Sequence, residues 1–470
     1  MNYDFIIIGS GPAGSTLSWR LEKQGFKIAL IDRAKYEKKK LINDFFCPFI
    51  NKTPNYYTPV YSDQLGGNSA LWHGKIYLIS EKEFNSSNWG FEYSELKYYS
   101  DDLAEKLNLD RDILTKTRQI ENKNLHYSLR SNINNVYKFL KLNEKKNIDL
   151  YKSCSPTKLI FNNSSNKVSE IVIKNEEGLE KNLIVEHSVV FCAGGLGNPH
   201  LLKNLLPNNN KLIGSFLSDH PHVNLCKIKS SEFNTFEEIS KPNIKNNLNI
   251  KSYEEVAQVF QKQNFFAGVQ LDYKSDPMRK LRRYFIRLNN IYLRRMLNIF
   301  GFFVKKLNGL YFKTGLLFNK YYKYSFEFYF SQYQNIDNNI NLDQKNLDKF
   351  GLKKININWE IKNEDQDKIK LIIDEAVGKN GLLLKQNNKL NFMKIFKKSG
   401  LAGLHPSCTT KIALNKFDGV VDKNLSLFDC KNIFICGSSV FPINGFTNPT
   451  WTIMTLSNRL ANHLKSKPSK

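Results

Sequence analysis

YDFIIIGSGPAGSTLSWRLEKQGFKIALIDR, residues 3–33, decides how the first part of this chain folds. The apolar run 5–8 predicts a buried strand, and the amphipathic stretch that ends at Gly25 predicts a helix. A second apolar run, 27–31, predicts a parallel strand that closes on Asp32. Strand, glycine turn, helix, strand and acid stand in the order of a dinucleotide-binding βαβ unit.

Each glycine of this turn has a separate role. Gly9 makes the tight turn, Gly11 lets the backbone approach a pyrophosphate, and Gly14 lets helix and strand pack closely. The helix start then holds phosphate through its N–H groups and dipole, and Asp32 accepts from a ribose hydroxyl. The motif fits NAD or FAD, and its place at the start of the chain favours FAD. The residues predicted to bind the dinucleotide here are Gly9, Ser10, Gly11, Pro12, Ala13, Gly14, Asp32 and Arg33.

Length and composition set limits on the class of protein. With 470 residues, two domains are expected. No apolar run reaches the roughly 20 residues of a membrane span, and no export signal is visible, so we expect a cytoplasmic protein. Seven scattered cysteines favour reduced thiols over a disulfide framework or a zinc site. The net charge of +25 attracts phosphate-rich partners, although part of it is spread thinly along the chain.

Two later glycine turns are candidates for the same site. The run 188–192 predicts a strand before Ala193 and Gly194, with a helix start near residues 198–199. A Gly-Gly turn at residues 66–67 exposes N–H groups that suit phosphate or a ring carbonyl. Each turn taken alone is equally compatible with an ordinary loop. The additional cofactor residues predicted from these turns are Gly66, Gly67, Asn68, Ser69, Ala193 and Gly194.

Six segments in a fixed order carry a resemblance to a known family. They are the N-terminal unit, LGGNSALWHG (65–74), CAGGLGNPHLL (192–202), IGSFLSDHPHV (213–223), GLHPSCTT (403–410) and GVVDKNLSLFDCKNIFICGSSVFPINGFTNPTWTIMTLSNRLANHL (419–464). In this order the chain resembles the glucose-methanol-choline (GMC) family of FAD oxidoreductases, and most closely its smaller bacterial dehydrogenase-like members. The resemblance covers most of the chain outside residues 230–325.

The resemblance implies the fold and its division into domains. It implies an α/β chain, α+β overall, with a Rossmann-like FAD-binding domain built from discontinuous segments, residues 1–224 and 396–470. A cap segment is expected within residues 76–148. A substrate-binding domain with a mostly antiparallel sheet is expected over residues 225–395. Independently of the resemblance, the alternation in SFEFYFSQYQ (325–334) predicts a strand, and the stretch from Asn363 predicts a capped helix.

The resemblance also implies a catalytic pair. His405 would take the proton of a substrate alcohol while hydride passes to the flavin N5 atom, and a neutral imidazole suits that task. Asn448, before a predicted helix at 450–464, would hold the substrate oxygen, and the helix start would face the flavin. Without the other motifs, a turn histidine and an Asn-Pro helix cap would be the preferred interpretations. The further cofactor residues predicted here are Gly437, Ser438, Asn448, Pro449 and Thr450.

Two departures from the family pattern bear on this site. Cys408 stands where the family usually has glycine, so its side chain could crowd the flavin side of the turn. Leu71 stands where relatives that attach FAD covalently have a histidine, which predicts non-covalent FAD. The HxH pair His220 and His222 has the spacing of metal ligands, but the resemblance treats it as the start of a structural strand. No metal is predicted.

The segment 277–325 has no acidic residue between its two ends and is rich in arginine and aromatic residues. Its apolar residues recur at helical spacing, with Arg279, Arg283 and Arg287 on another face. A basic amphipathic helix suits an anionic membrane surface, and a helix packed on its own domain is the equal alternative. Nothing in the sequence resembles a nucleic-acid-binding module, so no nucleic-acid partner is expected.

The combined expectation is FAD-dependent oxidation of a CH–OH group on a sugar-like or lipid-linked alcohol. The predicted location is cytoplasmic, with a peripheral position at the inner face of the membrane as an option. A quinone or another carrier is expected as electron acceptor in preference to oxygen. Two alternatives stay open: a flavin-dependent reductase of polyprenyl double bonds, and a flavin-binding membrane-surface scaffold that has lost catalysis.

Overall fold

A computed structural model gives the fold of the chain. It describes residues 1–34, 49–50, 57, 59–62, 64–72, 74–109, 111, 117–120, 123–131, 133, 135–162, 166–206, 210–229, 244–247, 250–272, 323–379, 396 and 402–465. The strands are β1 (Asn2–Ile8), β2 (Ile28–Ile31), β3 (Phe49–Ile50), β4 (Lys75–Ile76), β5 (Thr117–Ile120), β6 (Lys123–Arg130), β7 (Ile148–Tyr151), β8 (Cys154–Asn162), β9 (Lys167–Asn175), β10 (Glu180–Phe191), β11 (His222–Lys229), β12 (Ile244–Asn247), β13 (Ile250–Lys262), β14 (Phe265–Asp272), β15 (Lys323–Phe330), β16 (Asn339–Leu347), β17 (Lys353–Asn358) and β18 (Ile433–Ile435). The helices are α1 (Pro12–Glu22), α2 (Glu81–Asn85), α3 (Tyr93–Lys106), α4 (Val136–Phe139), α5 (Gly194–Leu205), α6 (Asn363–Lys379) and α7 (Thr450–Lys465).

The first sheet is the nucleotide-binding sheet that the N-terminal motif predicts. Its strand order is β7-β2-β1-β10-β9-β8, and β18 pairs with β10. The neighbours β7, β2, β1, β10 and β18 run parallel, whereas β8 and β9 form an antiparallel extension. Central parallel strands are covered on both faces, so they read as continuous apolar runs. Ile6 and Ile7 of β1 are fully buried accordingly. The mixed α/β class and the Rossmann-like unit are confirmed.

Helix α5 begins at Gly194, earlier than the start that the sequence predicts near residues 198–199. Pro199 therefore lies inside the helix, where it cannot donate to the carbonyl of Gly195, four residues earlier. The hydroxyl of Thr409 donates to that carbonyl instead, at 2.7 Å. The earlier start is possible because a distant side chain supplies the hydrogen bond that proline removes.

The second sheet is antiparallel, as the resemblance implies. Its order is β11-β15-β14-β13-β6-β4, with β12 on β13 and β5 on β6. Strands β4 to β6 come from the part of the chain where a cap segment is expected, and β6 pairs with β13. A third, three-stranded sheet has the order β16-β17-β3. The antiparallel sheet thus takes strands from two stretches of chain that are far apart in sequence.

Local predictions in the later part of the chain agree with the described elements. The predicted strand is β15, where Phe328 and Phe330 are buried and stack with ring centroids 5.9 Å apart. The predicted helix from Asn363 is α6. The basic segment 277–325 lies outside the described residues except for its last three, so its contacts stay a prediction. Of the helices that the structure describes, none combines the length and apolarity required of a membrane span.

Candidate active site

The glycine turn after β1 packs against the end of β10. Gly9 has a φ of +103°, and a Cβ on it would lie 2.6 Å from the carbonyl oxygen of Cys192. A Cβ on Gly14 would lie 1.8 Å from the Gly9 oxygen. Both positions therefore require glycine. A Cβ on Gly11 would have only the Cys192 oxygen within reach, at 4.0 Å, so open space borders the side-chain direction of Gly11.

The start of α1 presents its first turn to this open space. Pro12 is the first helical residue, and the first intrahelical bond runs from Ser15 N–H to the Gly11 carbonyl. The earlier N–H groups, those of Ala13 and Gly14, therefore have no acceptor within the helix. This is the arrangement that holds a pyrophosphate.

Asp32 closes the unit at the end of β2. Its carboxylate accepts from the N–H of Ser10 at 2.5 Å and from the N–H of Ala34 at 2.7 Å. Burial raises the pKa of this carboxyl, and the two backbone bonds oppose the rise. The carboxylate is thus fixed beside the glycine turn, where a ribose hydroxyl could donate to it.

Arg33, the neighbouring residue, is engaged in a buried cluster. Its guanidinium donates to Ser155 Oγ at 3.0 Å and to Asp348 Oδ2 at 2.7 Å. Asp348 also lies 3.7 Å from Nε2 of His200. These partners connect β2 to β8 and to the turn after β16. They give Arg33 a structural role, and its predicted contact with the cofactor stays a prediction.

The Gly-Gly turn lies directly on the glycine turn. Gly66 N–H donates to Ser10 Oγ at 2.9 Å, and a Cβ on Gly67 would lie 3.2 Å from the Gly11 Cα. Ser69 and Asn68 hold this second turn in shape, Ser69 through a 2.6 Å bond to the Gly66 carbonyl and Asn68 through bonds to residues 60 and 62. The structure therefore brings the two predicted cofactor turns together.

The other two predicted cofactor segments also meet. Gly194 has a φ of +77° and no atom within 4 Å of a Cβ placed on it, whereas a Cβ on Gly437 would lie 3.7 Å from the Gly194 Cα. Asn198 joins the two segments, since it accepts from Ala193 N–H at 2.7 Å and donates to Ser439 at 2.8 Å. Open space thus borders Gly194 as it borders Gly11, and these glycines with Asp32 fit an extended dinucleotide such as FAD.

The predicted catalytic residues face each other. The amide nitrogen of Asn448 lies 3.4 Å from Nε2 of His405, and both side chains are half-buried. Pro449 and Thr450, which follow Asn448, are buried at the start of α7. Two different segments therefore present polar atoms to one point, which is what a base and an orienting group require.

Asp219 anchors the turn that carries His405. Its fully buried carboxylate accepts from the N–H groups of Gly403 at 3.0 Å, His405 at 3.3 Å and His220 at 2.8 Å. Ser438 holds the same turn from the other side through a 2.8 Å bond to the carbonyl of Pro406. Sequence reasoning did not assign Asp219. The only signal was its place in the DHPH motif.

Glu83 has the corresponding role for the loop before Asn448. It is fully buried in α2 and accepts from Phe446 N–H at 3.1 Å. Ser80 caps the helix and donates to the same carboxylate at 2.7 Å. The Ser-x-x-Glu capping box was visible in the sequence, but its contact with residue 446 was not.

Burial determines the protonation state of His405. It holds the pKa of this imidazole well below its usual value, and the neighbouring His220, His222 and Lys75 act in the same direction. His405 is therefore neutral at physiological pH, as a general base must be.

Cys408 adopts the left-handed conformation that glycine would favour, with a φ of +68°. Its side chain is fully buried, and Sγ lies 3.4 Å from the hydroxyl of Ser407. Burial raises the pKa of this thiol to about 11, so it is neutral and unreactive. The backbone at Cys408 thus lies in the left-handed region, which glycine adopts without strain.

Comparisons with known proteins agree with this architecture. Two family models described as GMC oxidoreductase match residues 129–222 and 335–457, and a model of the NAD(P)-binding Rossmann-like domain matches residues 7–36. The two GMC oxidoreductase models support an FAD-dependent oxidoreductase. The chain belongs to the GMC oxidoreductase family.

Solved structures with the same fold span the whole chain. Formate oxidase from Aspergillus oryzae RIB40 aligns with a TM-score of 0.61 and 14% identity over 99% of this chain and 98% of that one. Pyridoxine 4-oxidase from Mesorbium loti aligns with a TM-score of 0.61 and 14% identity, over 99% of this chain and 100% of that one. An FAD-dependent oxidoreductase from Chaetomium thermophilum aligns with a TM-score of 0.61 and 13% identity, over 99% of this chain and 99% of that one. Likeness at this identity shows the fold.

A curated protein gives a shorter match. Geranylgeranyl diphosphate reductase from Rhodobacter capsulatus is 44% identical over 55 residues. The match spans 10% of this chain and 14% of that protein. A likeness of this length concerns one segment of each protein.

Asp219 predicts a specific pH dependence. Burial raises its pKa to about 7, so the folded state binds its proton more tightly than the unfolded state does. The stabilisation from this proton is complete below about pH 4 and is lost as pH rises towards 7. The original protein should therefore lose unfolding free energy between about pH 4 and pH 7. In Asp219→Asn this loss should be smaller than in the original protein by roughly 2–4 kcal/mol. Chemical unfolding at several pH values measures the difference.

Asp365→Asn is the matched control. Asp365 is also buried, its pKa is also raised to about 7, mainly by burial, and it accepts from Tyr333 N–H rather than from the His405 turn. Both variants should lose a similar pH dependence of stability, but only Asp219→Asn should slow flavin reduction. Equal rates of flavin reduction in the two variants would contradict the anchoring role of Asp219.

Proposed function

We propose that the chain oxidises a hydroxyl group of an alcohol with FAD as cofactor. The observation that carries the proposal is the meeting of His405 Nε2 and the Asn448 amide, 3.4 Å apart. His405 would take the hydroxyl proton as the C–H bond breaks, and Asn448 would orient the oxygen. FAD, held by the glycine turns and Asp32, would supply the hydride acceptor.

The chain's own contribution is an unprotonated base, orientation and rigidity. His405 stays unprotonated because burial lowers its pKa, so it is ready to accept a proton at neutral pH. Asp219 fixes the backbone on the base side, and Glu83 fixes the loop on the Asn448 side. Each catalytic side chain therefore rests on a buried carboxylate that holds backbone N–H groups, which keeps their separation constant.

The proposed substrate is a sugar-like or lipid-linked alcohol, and the proposed electron acceptor is a quinone or another carrier. The net charge of +25 supports an anionic surface or substrate near the protein. We extend the proposal to a position at the inner face of the membrane, which rests on the sequence of segment 277–325.

FAD should be bound without a covalent link. The proposal rests on Leu71, which has no nucleophilic atom and directly follows the Gly67–Ala70 turn that contacts Gly11. Acid precipitation of the purified protein should leave the flavin in the supernatant, where absorbance measures it. Flavin that stays in the precipitate would contradict the non-covalent assignment.

An anaerobic absorbance experiment tests the function. The FAD-loaded protein is mixed with a panel of simple alcohols, sugars and polyprenyl alcohols, and the oxidised flavin band is followed. Bleaching by at least one member is the expected result. A bound flavin that no alcohol bleaches would overturn the proposal.

The reductase and scaffold alternatives predict different results. A reductase of polyprenyl double bonds needs no pair such as His405 and Asn448, and the short match to the curated reductase covers 14% of that protein. A scaffold would keep its role in cells when His405 is replaced. Alcohol-dependent bleaching that requires His405 excludes both alternatives.

A further inference from the structure

Gln332 follows β15 and bonds the segment that carries Asp219. The pairing of β15 with β11 ends just before it, where Phe330 N–H donates to the carbonyl of Pro221 at 3.0 Å. Beyond this point the side chain of Gln332 makes the contact, since its Oε1 accepts from Asp219 N–H at 3.1 Å. Gln332 is only 3% exposed, so this bond is shielded from solvent. A buried amide thus extends the connection between two strands that have separated.

Three partners fix the orientation of the Gln332 amide. Its Oε1 also accepts from the indole Nε1 of Trp359 at 3.0 Å, and its Nε2 donates to the carbonyl of Glu360 at 2.8 Å. A backbone N–H and an indole N–H can only donate, and a carbonyl can only accept, so the reversed amide would lose all three bonds. Trp359 is itself buried and stacks on Tyr57, with ring centroids 4.5 Å apart. The amide oxygen is therefore held towards Asp219.

Asp219 passes this contact on to the turn that carries His405. Its carboxylate accepts from the His405 N–H at 3.3 Å. Ser218, the residue before it, exchanges two backbone bonds with Ser407, from Ser218 N–H at 3.2 Å and to the Ser218 carbonyl at 2.9 Å. A shift of Asp219 would therefore shift the turn, and the bond from Gln332 opposes such a shift.

The backbone of Gln332 pairs with the other catalytic segment. Gln332 and Asn444 form an isolated antiparallel bridge. Asn444 is buried and precedes Asn448 in the same loop, which Glu83 also holds through the N–H of Phe446. One residue thus contacts both segments of the proposed site. Its side chain bonds the segment that supports the base, and its backbone bonds the segment of the orienting amide.

We propose that Gln332 is a positioning residue that fixes the separation of His405 and Asn448. The inference rests on the proposed oxidation at this pair, and it adds a residue that acts through Asp219 rather than as a chemical group in the reaction. Reaction rates depend on separations of this kind, because a misplacement of about 1 Å can cost about a hundredfold.

Gln332→Met tests the proposal, since methionine has about the length of glutamine but no amide. The FAD-loaded full chain is mixed anaerobically with the alcohol of the panel that bleaches the flavin, at several concentrations. The limiting rate of flavin reduction should fall by roughly tenfold to a hundredfold, with a smaller change in apparent substrate binding. Rates are divided by FAD content, so that loss of folded protein does not count as slower reduction.

Asn338→Leu is the matched control. Asn338 is 1% exposed, and its side chain bonds both the N–H and the carbonyl of Glu360, each at 3.1 Å, and the amide of Asn335 at 3.4 Å. It is therefore a buried amide on the same neighbour as Gln332. Both variants should lower the melting temperature, but only Gln332→Met should lower the limiting rate. Equal rate losses in the two variants, or an unchanged rate in Gln332→Met, would overturn the proposal.

A double-variant cycle tests the route through Asp219. If Gln332 supports the base through this residue, Gln332→Met should slow reduction much less in the Asp219→Asn background than in the original protein. Asn338→Leu should have the same small effect in both backgrounds. Fully additive losses from Gln332→Met and Asp219→Asn would show that the two residues act independently, and would overturn the proposed link.

Hydrogen exchange separates this inference from the proposed function. If no alcohol bleaches the flavin, oxidation is excluded, and exchange of backbone amides in the FAD-loaded protein becomes the test. Mass spectrometry of a peptide that covers residues 403–408 should show exchange about tenfold faster in Gln332→Met, and unchanged exchange in Asn338→Leu. Equal exchange in Gln332→Met and the original protein would overturn the positioning role, whether or not the chain oxidises alcohols.

Discussion

His405→Ala should slow the reduction of bound flavin by an alcohol by about a hundredfold to ten-thousandfold. The imidazole is the one neutral base placed against the Asn448 amide among the described residues, and alanine leaves no proton acceptor at that point. Apparent substrate binding should change much less, because the loss falls on proton removal in the transition state. Stopped-flow absorbance of the flavin band measures both quantities.

His187→Ala is the matched control for this variant. His187 lies in β10, with Nε2 3.5 Å from the carboxylate of Asp4, and its ring packs against Phe5 and Phe26. Its replacement should leave the reduction rate unchanged. A rate in His405→Ala within about tenfold of the original, at equal FAD content, would remove His405 from the role of base.

Breaking the buried pair of Arg33 and Asp348 should lower the free energy of unfolding by about 3–5 kcal/mol. Both side chains are almost completely buried, and their nitrogen and oxygen atoms lie 2.7 Å apart. Arg33→Ala leaves the buried carboxylate of Asp348 without its main partner. Asp348→Ala leaves the buried guanidinium of Arg33 without its carboxylate partner. The double variant Arg33→Met with Asp348→Leu should recover much of the loss, because it buries no charge.

Chemical unfolding followed by tryptophan fluorescence measures these differences, and FAD titration separates the two roles of Arg33. A structural pair predicts equal FAD affinity in Arg33→Ala and Asp348→Ala. Weaker FAD binding in Arg33→Ala alone would add a direct contact with the cofactor. Unfolding energies within about 1 kcal/mol of the original protein would contradict the buried pair.

The fold of the N-terminal βαβ unit was predictable because its determinants are local. The turn from Gly9 to Gly14 and the strand ending before Asp32 form a continuous stretch in which each residue type has one geometric purpose. The helix start at Gly194 was missed because its stability depends on Thr409, which is far away in the sequence. Local patterns do not reveal a hydrogen bond of that kind.

The antiparallel sheet and the support of the catalytic pair were harder to predict. Pairing of β6 with β13 joins strands that no local periodicity connects. Asp219 and Glu83 act through backbone N–H groups of other segments, which carry no side-chain signature. His220 was visible as part of HxH, but a two-residue spacing describes a strand face and does not indicate which ring it will contact.

The order of the elements along the chain has a consequence for biosynthesis. The sheet residues up to β10 leave the ribosome first and can begin to fold while the rest is being made. His405, Asn448, the edge strand β18 and helix α7, which packs on α1, all come from residues 402–465. A nascent chain can therefore form the βαβ unit well before it contains the proposed catalytic pair. We therefore expect alcohol-dependent flavin reduction only from chains that include residues 402–465, and none from incomplete nascent chains.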